Sequence, residues 1–124
     1  MTDGVTLRNK ILEAHILSYG ASLCALRLKA VPYSLVLGYA RPEDFEHHSG
    51  HFGAIAGPVA NRISSGRAQL GAKVLILETN ENGMNTLHGG SLGTGRRHWV
   101  ISERTDTSVK LTLSLPDQTL GFPG

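Results

Sequence analysis

The sequence predicts an all-β protein built from antiparallel strands. Short runs of alternating apolar and polar residues recur along the 124 residues, and turns that contain glycine separate them. Strands with a turn signal about every 8–12 residues are typical of a β-sandwich or barrel. The strand–helix–strand spacing of about 30 residues that builds a parallel α/β sheet is not found. We therefore expect a single antiparallel β domain over residues 1–124.

Two alternating runs near the start of the chain predict a β-hairpin. The runs cover residues 10–17 and 23–29, and the segment Tyr19–Ser22, which contains a glycine, forms the turn between them. The apolar positions of the two runs recur at every second residue: Leu12, Ala14, Ile16, Cys24, Leu26 and Leu28. A shorter strand is predicted at 35–37, and the composition of 42–46 predicts one helical turn inside a polar surface loop.

Two further hairpins are predicted in the second half of the chain. The first joins residues 68–70 to 73–77 through a glycine turn. The second joins 99–104 to 108–115, with the turn at 105–107. The clearest alternation is in the last run, where the apolar positions are Val109, Leu111, Leu113 and Leu115.

Composition limits the partners and the compartment. Twelve Lys and Arg residues against ten Asp and Glu give a net charge of +2, too even to indicate a nucleic acid or an anionic membrane. The single cysteine, Cys24, excludes an internal disulfide and is expected to act as a small buried hydrophobic residue. The N-terminus has no signal-peptide pattern and no apolar run approaches the length of a membrane helix, so a cytoplasmic location is expected.

Polar residues beside an apolar segment form the candidate site. Asn61 and Arg62 precede the apolar segment 74–77, and His88 follows it, directly before two glycines. A guanidinium suits bidentate contact with neighbouring oxygens, and the histidine can bond to a hydroxyl near neutral pH. Structural roles remain open at this point, because Arg62 could bond to loop carbonyls and His88 to local backbone.

A second polar cluster resembles a metal site. His47, His48 and His51 lie close in sequence to Asp44 and Glu46. Neighbouring residues of an extended chain point in opposite directions, and no second cluster completes a zinc-like spacing. A solvated loop is therefore the better interpretation, and no metal site is predicted.

The motifs together resemble those of the aldose 1-epimerase (galactose mutarotase) family. Six segments carry the resemblance in the family's order and spacing: Tyr19–Ala21, Leu37–Tyr39, Gly57–Ile63, Asn80–Gly90, Trp99 and Gly121–Gly124. The resemblance covers nearly the whole chain. One departure is Pro58-Val59, where many family members carry Arg-Tyr.

The resemblance implies an antiparallel β-sandwich of the galactose mutarotase type, of which residues 1–124 would be the N-terminal part and therefore incomplete. It implies an enzyme that interconverts the α and β anomers of a free aldohexose, with no metal or organic cofactor. Asn61 and Arg62 would contact sugar hydroxyls or the ring oxygen, and His88 would bond to the sugar.

The resemblance also implies where proton transfer takes place. Ring opening needs a base for the anomeric hydroxyl and an acid for the ring oxygen. In the family these are a glutamate and a histidine downstream of the Gly121–Gly124 motif. We therefore expect both beyond Gly124, no catalytic residue within this chain, and no activity of the chain alone. His98 and Glu103 are the stand-ins inside the chain, and nothing in the sequence places them in the pocket.

Two other functions remain open on the sequence. The same three site residues could serve a non-catalytic carbohydrate-binding module. An epimerase-like protein acting on a hexose 6-phosphate would need extra cations, and Arg67, Arg96 and Arg97 are the candidates. Strands that lack their partners would leave open edges, so self-association is also expected.

Overall fold

A computed structural model describes residues 3–124, and its regular secondary structure consists mainly of strands. The elements in chain order are β1 (Gly4–Arg8), β2 (Leu12–Leu17), β3 (Leu23–Leu28), α1 (Asp44–His47), β4 (Arg62–Ser64), β5 (Arg67–Leu70), β6 (Lys73–Ile76), β7 (Asn85–Leu87), a 3₁₀ turn (Thr94–Arg96), β8 (Val100–Arg104) and β9 (Val109–Thr112). They belong to two compact units, one formed by residues 3–55 with 97–113 and the other by 56–96 with 114–124. The prediction of a single domain over 1–124 stays a prediction.

The first unit contains a three-stranded antiparallel sheet in the order β1-β2-β3. The predicted hairpin is confirmed: Ala14 pairs with Leu26 and Leu12 with Leu28, which places these four apolar residues on one face. Near the turn, a β-bulge between His15 and Ile16 changes the register by one residue, so that His15 pairs with Ala25 and Ile16 with Leu23. The second hairpin of this unit pairs β8 with β9, as the alternation predicted.

The second unit contains two short antiparallel ladders, β4 with β7 and β5 with β6. The β5–β6 hairpin was predicted, and its turn contains Gly71 at φ +59°. The β4–β7 ladder was not predicted. It joins Ile63 to Thr86 and Ser64 to Asn85, residues that are more than twenty positions apart in sequence. Thr86 is almost completely buried and its hydroxyl donates to the carbonyl of Glu78 at 2.7 Å.

Buried apolar side chains lie in both units. Leu17 is completely buried, and Val5 and Phe45 are nearly so in the first unit. Leu77 and Phe122 are the buried apolar side chains of the second unit. Between residues 3 and 124, no helix has the length and apolar character that crossing a membrane requires.

Several sequence predictions are corrected by the structure. The strand predicted at 35–37 is not formed: the Ser34 hydroxyl bonds to both the N–H and the carbonyl of Val36, and such local bonds compete with a strand ladder. Leu37 is accordingly 80% exposed. The strand predicted to reach Leu115 ends at Thr112. The helical turn predicted over 42–46 is confirmed: α1 begins two residues later and ends one residue later.

Candidate functional site

The β4–β7 ladder places Asn61 and His88 side by side. Arg62 pairs with Leu87 across the ladder, so the residue before β4 and the residue after β7 meet at the same end. In sequence the two groups lie on either side of the apolar segment 74–77, but that segment belongs largely to β6, which pairs with β5. The site is therefore assembled by strand pairing between distant parts of the sequence.

Asn61 and His88 are bonded to each other twice. The His88 N–H donates to the Asn61 carbonyl at 3.0 Å, and the Asn61 N–H donates to His88 Nδ1, also at 3.0 Å. Both residues have left-handed backbone angles, φ 65° and φ 52°. A backbone N–H can only donate, so Nδ1 is an acceptor and the proton of the neutral imidazole is on Nε2. The histidine is thus fixed as a tautomer whose Nε2–H is a hydrogen-bond donor.

Arg62 is held by two partners in the same unit. Its Nε lies 2.8 Å from Glu81 Oε2 and 3.0 Å from Oε1, and Nη2 also donates to Oε1. Nη1 donates to Asn61 Oδ1 at 3.2 Å, and the same oxygen accepts the Arg62 backbone N–H at 2.9 Å. The hydrogen bonds from Arg62 hold the pKa of the Glu81 carboxyl below its ordinary value, and the pKa of Arg62 is raised in return.

The carboxylate that holds Arg62 is itself fixed. Asn85 Nδ2 donates to Glu81 Oε2 at 3.0 Å, which lowers the Glu81 pKa further. The two residues are also joined by backbone hydrogen bonds of 3.0 and 3.3 Å. The Asn85 side-chain oxygen accepts the Ser65 N–H at 3.4 Å. A continuous chain of bonds therefore connects the end of the β4–β7 ladder to the guanidinium of Arg62.

Glycines allow the backbone around His88 to pack closely. A Cβ on Gly89, which has φ +85°, would overlap the carbonyl oxygen of Gly57 and lie 2.7 Å from Pro58 Cδ. A Cβ on Gly93 would overlap the carbonyl oxygen of His88. The glycines after the histidine thus permit close approach, and the group that approaches is backbone.

A second carboxylate of this unit, Glu78, holds the local backbone in place. Glu78 accepts hydrogen bonds from the N–H and the hydroxyl of Ser91, at 2.6 and 2.8 Å. A Cβ on Gly90 would lie only 2.7 Å from its Oε2. Glu78 thus ties the segment after His88 to the end of β6, and both of its oxygens are engaged.

The two stand-ins for acid and base lie in the other unit. His98 Nδ1 is 3.2 Å from the Ser18 hydroxyl, and His98 Nε2 is 3.6 Å from Glu46 Oε2. Glu103 pairs across the β8–β9 hairpin with Lys110 at 2.8 Å. Both side chains therefore have contacts of their own, separate from those of Asn61, Arg62 and His88.

The histidine-rich loop forms α1 and the segment after it. His48 stacks on Tyr39 with ring centroids 4.9 Å apart. Over residues 3–124, no three His, Cys, Asp or Glu side chains come together in a way that could hold a metal ion.

The cations considered for a phosphate group are spread over both units. Arg67 is exposed at the start of β5, opposite Ile76. Arg96 ends the 3₁₀ turn, and Arg97 belongs to the first unit, where its carbonyl accepts the Gly20 N–H at 2.8 Å.

Glu81 is the site residue that sequence reasoning missed. It lies among Asn80, Asn82 and Gly83, which are turn-forming residues, so its surroundings in the sequence indicate a turn. Its partner Arg62 is nineteen positions away, so no local pattern joins them. The sequence feature that could have indicated Glu81 is its position as an acidic residue in the turn before the segment that carries His88.

Comparison with solved structures defines the class of fold. The structure aligns with the GalM/aldose epimerase homologue from C. elegans at a TM-score of 0.89 and 30% identity, over 100% of this chain and 39% of that one. It aligns with galactose 1-epimerase from Lactobacillus acidophilus at a TM-score of 0.84 and 30% identity, over 98% of this chain and 36% of that one. The fold is therefore all-β and of the galactose mutarotase type, of which this chain forms a part.

The sequence identifies the family. The family described as aldose 1-epimerase matches residues 3–124, so the chain belongs to the aldose 1-epimerase family. It is 34% identical to aldose 1-epimerase of Escherichia coli and 36% identical to galactose mutarotase of Mus musculus, over 97% and 95% of this chain. The chain spans only 36% and 35% of the length of these relatives.

Proposed function

We propose that this chain forms the sugar-binding part of an aldose 1-epimerase, and that Asn61, Arg62 and His88 form hydrogen bonds with a free aldohexose. The observation that carries the proposal is the fixed set of donors at the end of the β4–β7 ladder. The family supports a sugar as the ligand, because the relatives are named as aldose 1-epimerases and galactose mutarotases.

The donor count supports contact with a pair of oxygens. Arg62 has five N–H donors, and three are directed at Glu81 and Asn61. Towards the residues that the structure describes, two N–H bonds of Arg62 make no hydrogen bond, one on each terminal nitrogen, and the side chain is 54% exposed. These two N–H bonds provide donors for neighbouring hydroxyls or for a hydroxyl and the ring oxygen of a hexose.

We propose that the two proton transfers fall to groups outside residues 3–124. A base must accept the proton of the anomeric hydroxyl, and a carboxylate with a lowered pKa is a weak base. Glu81 is such a carboxylate, because Arg62 and Asn85 stabilise its charged form. The chain alone is expected to bind the sugar without accelerating mutarotation above buffer, and polarimetry on fresh α-galactose measures this.

Titration with galactose tests the sugar site. Arg62→Ala should weaken binding about tenfold or more, because hydrogen bonds to charged groups contribute roughly 1.5–3 kcal/mol. Arg8→Ala is the matched control, since Arg8 is also an arginine paired with a glutamate, Glu13, at 2.6 Å. The control should bind like the wild type. A folded wild-type chain that does not bind galactose would refute the proposal.

Self-association and a cytoplasmic location stay predictions. Self-association is supported by the β5–β6 hairpin, a two-stranded ladder with apolar side chains that are half exposed: Leu70, Val74 and Ile76. Size-exclusion chromatography over a range of concentrations measures it, and a monomer at every concentration would contradict it.

A further inference from the structure

We infer that Glu81 is a positioning and specificity residue, which determines the edge of the Arg62 guanidinium that faces the sugar and biases the site towards neutral sugars. The inference rests on the proposed sugar-binding function and concerns a residue outside the Asn61, Arg62 and His88 set.

Glu81 occupies one edge of the guanidinium. Its two oxygens accept from Nε and Nη2 of Arg62, which are the two donors of the side edge. Asn61 Oδ1 also accepts the Arg62 backbone N–H, so it lies on the backbone side and takes the Nη1 hydrogen that faces the side-chain stem. The N–H bonds that remain are the near-parallel pair at the end of the guanidinium, a geometry that suits two neighbouring oxygens.

The position of Glu81 is itself determined by the strands. Its side chain is 19% exposed, whereas that of Arg62 is 54% exposed, so the carboxylate lies beneath the guanidinium. Asn85 in β7 donates to one of its oxygens at 3.0 Å. The orientation of the guanidinium is therefore transmitted from β7 through Glu81. A substitution of Glu81 should release Arg62 to other rotamers.

Glu81 also determines the charge that a ligand meets. The pair of Arg62 and Glu81 is neutral overall, and the lowered Glu81 pKa keeps the carboxylate ionised near neutral pH. A neutral hexose gains hydrogen bonds from the outward donors without meeting a net charge. An anionic sugar gains little attraction from Arg62, because Glu81 offsets it at close range.

The test compares galactose with galacturonate, a sugar of similar shape that carries a carboxylate. Calorimetric titration at pH 7.5 gives the ratio of the two affinities for the wild type and for Glu81→Gln. The substitution removes one negative charge and keeps the size of the side chain. We expect galactose binding to weaken and the ratio to shift towards galacturonate by about fivefold, as for one unit charge a few ångström away in a partly exposed site.

Two variants separate charge from position. Glu81→Asp keeps the charge but is too short to hold both guanidinium nitrogens, so galactose binding should weaken while the ratio remains at the wild-type value. Glu13→Gln removes the same charge from the Arg8–Glu13 pair and should change neither quantity.

The outcomes distinguish this inference from the proposed function. A folded wild-type chain that binds neither sugar refutes the proposed function, and the inference with it. Galactose binding by the wild type together with an unchanged ratio in Glu81→Gln refutes the inference alone. If circular dichroism shows that Glu81→Gln does not fold, Glu81→Asp decides: wild-type affinity for galactose in that variant overturns the positioning role.

Discussion

Substitution of Gly89 by alanine should unfold the region around His88 at much lower denaturant concentration than a glycine substitution elsewhere. Gly89 has φ +85°, and an added Cβ would overlap the carbonyl oxygen of Gly57 and lie 2.7 Å from Pro58 Cδ. The obstructing atoms are backbone and a rigid ring, so they cannot move aside by a change of rotamer. The segment that carries His88 would have to shift.

Two contributions determine how much stability Gly89→Ala should lose. A left-handed backbone costs a residue with a Cβ about 1–2 kcal/mol. Overpacking against fixed atoms adds about 1–3 kcal/mol. The free energy of unfolding should therefore fall by about 2–5 kcal/mol, a large share of the roughly 5–15 kcal/mol of a typical domain.

Gly71→Ala is the matched control for the backbone part. Gly71 also has a positive φ, +59°, and lies in the same unit, but a Cβ there meets no atom within 4 Å. Urea unfolding followed by circular dichroism should place Gly71→Ala about 1–2 kcal/mol below the wild type. Equal destabilisation of Gly89→Ala and Gly71→Ala would refute the reasoning, because it would mean that contact with Gly57 costs nothing.

Two further predictions concern the same unit. Thr86→Val should lower the free energy of unfolding by about 1–3 kcal/mol, because the half-buried Glu78 carbonyl loses its 2.7 Å hydrogen bond. Thr112→Val, at an exposed position of β9, should change the free energy of unfolding little, and equal losses for the two variants in urea unfolding would contradict this. Arg62→Gln should raise the pKa of the Glu81 carboxyl, because the hydrogen bond from Arg62 is the largest cause of its lowering. In the wild type, the Arg62–Glu81 pair contributes its full stability above the ordinary glutamate pKa, and this contribution is lost as the pH falls through the lowered pKa of Glu81. In Arg62→Gln the stability should fall less over the same pH range. Carboxyl chemical shifts during an NMR pH titration measure the Glu81 pKa, and urea unfolding at several pH values measures the stability. An unchanged Glu81 pKa in Arg62→Gln would contradict the assignment.

Much of the fold could be predicted because most strands carry their own signal. Residues 12–17 and 23–28 alternate and are joined by a short turn, so pattern and pairing are both local. The three-residue strands β4 and β7 are too short to show a period, and β7 lies in a stretch of turn-forming residues. The strand predicted at 35–37 is wrong because an apolar run alone does not make a strand. The Ser34 hydroxyl bonds to the local backbone, and Leu37 remains exposed.

The sequence singles out the residues of the candidate site but does not predict how they are arranged. Asn61, Arg62 and His88 could be singled out because polar groups flank an apolar segment, and the family resemblance indicates the same residues. Their proximity depends on the β4–β7 ladder, which no local pattern predicts. Glu81 was missed for the same reason, since its significance arises only when Arg62 lies next to it.

The arrangement of the site residues depends on the register in which β4 and β7 pair. Asn61 and His88 are bonded through their backbones as well as through the imidazole, so the pair forms when β4 and β7 pair in this register. A shift of one residue would turn the side chains of β7 to the opposite face and would bury the polar Asn85 in place of Thr86. Arg62 and Glu81 are oriented by groups of the same ladder. Because every one of these contacts lies within residues 61–88, the donor array is an internal property of the second unit. The proposed sugar binding can therefore be measured on this chain separately from anomer interconversion, by titration and by polarimetry.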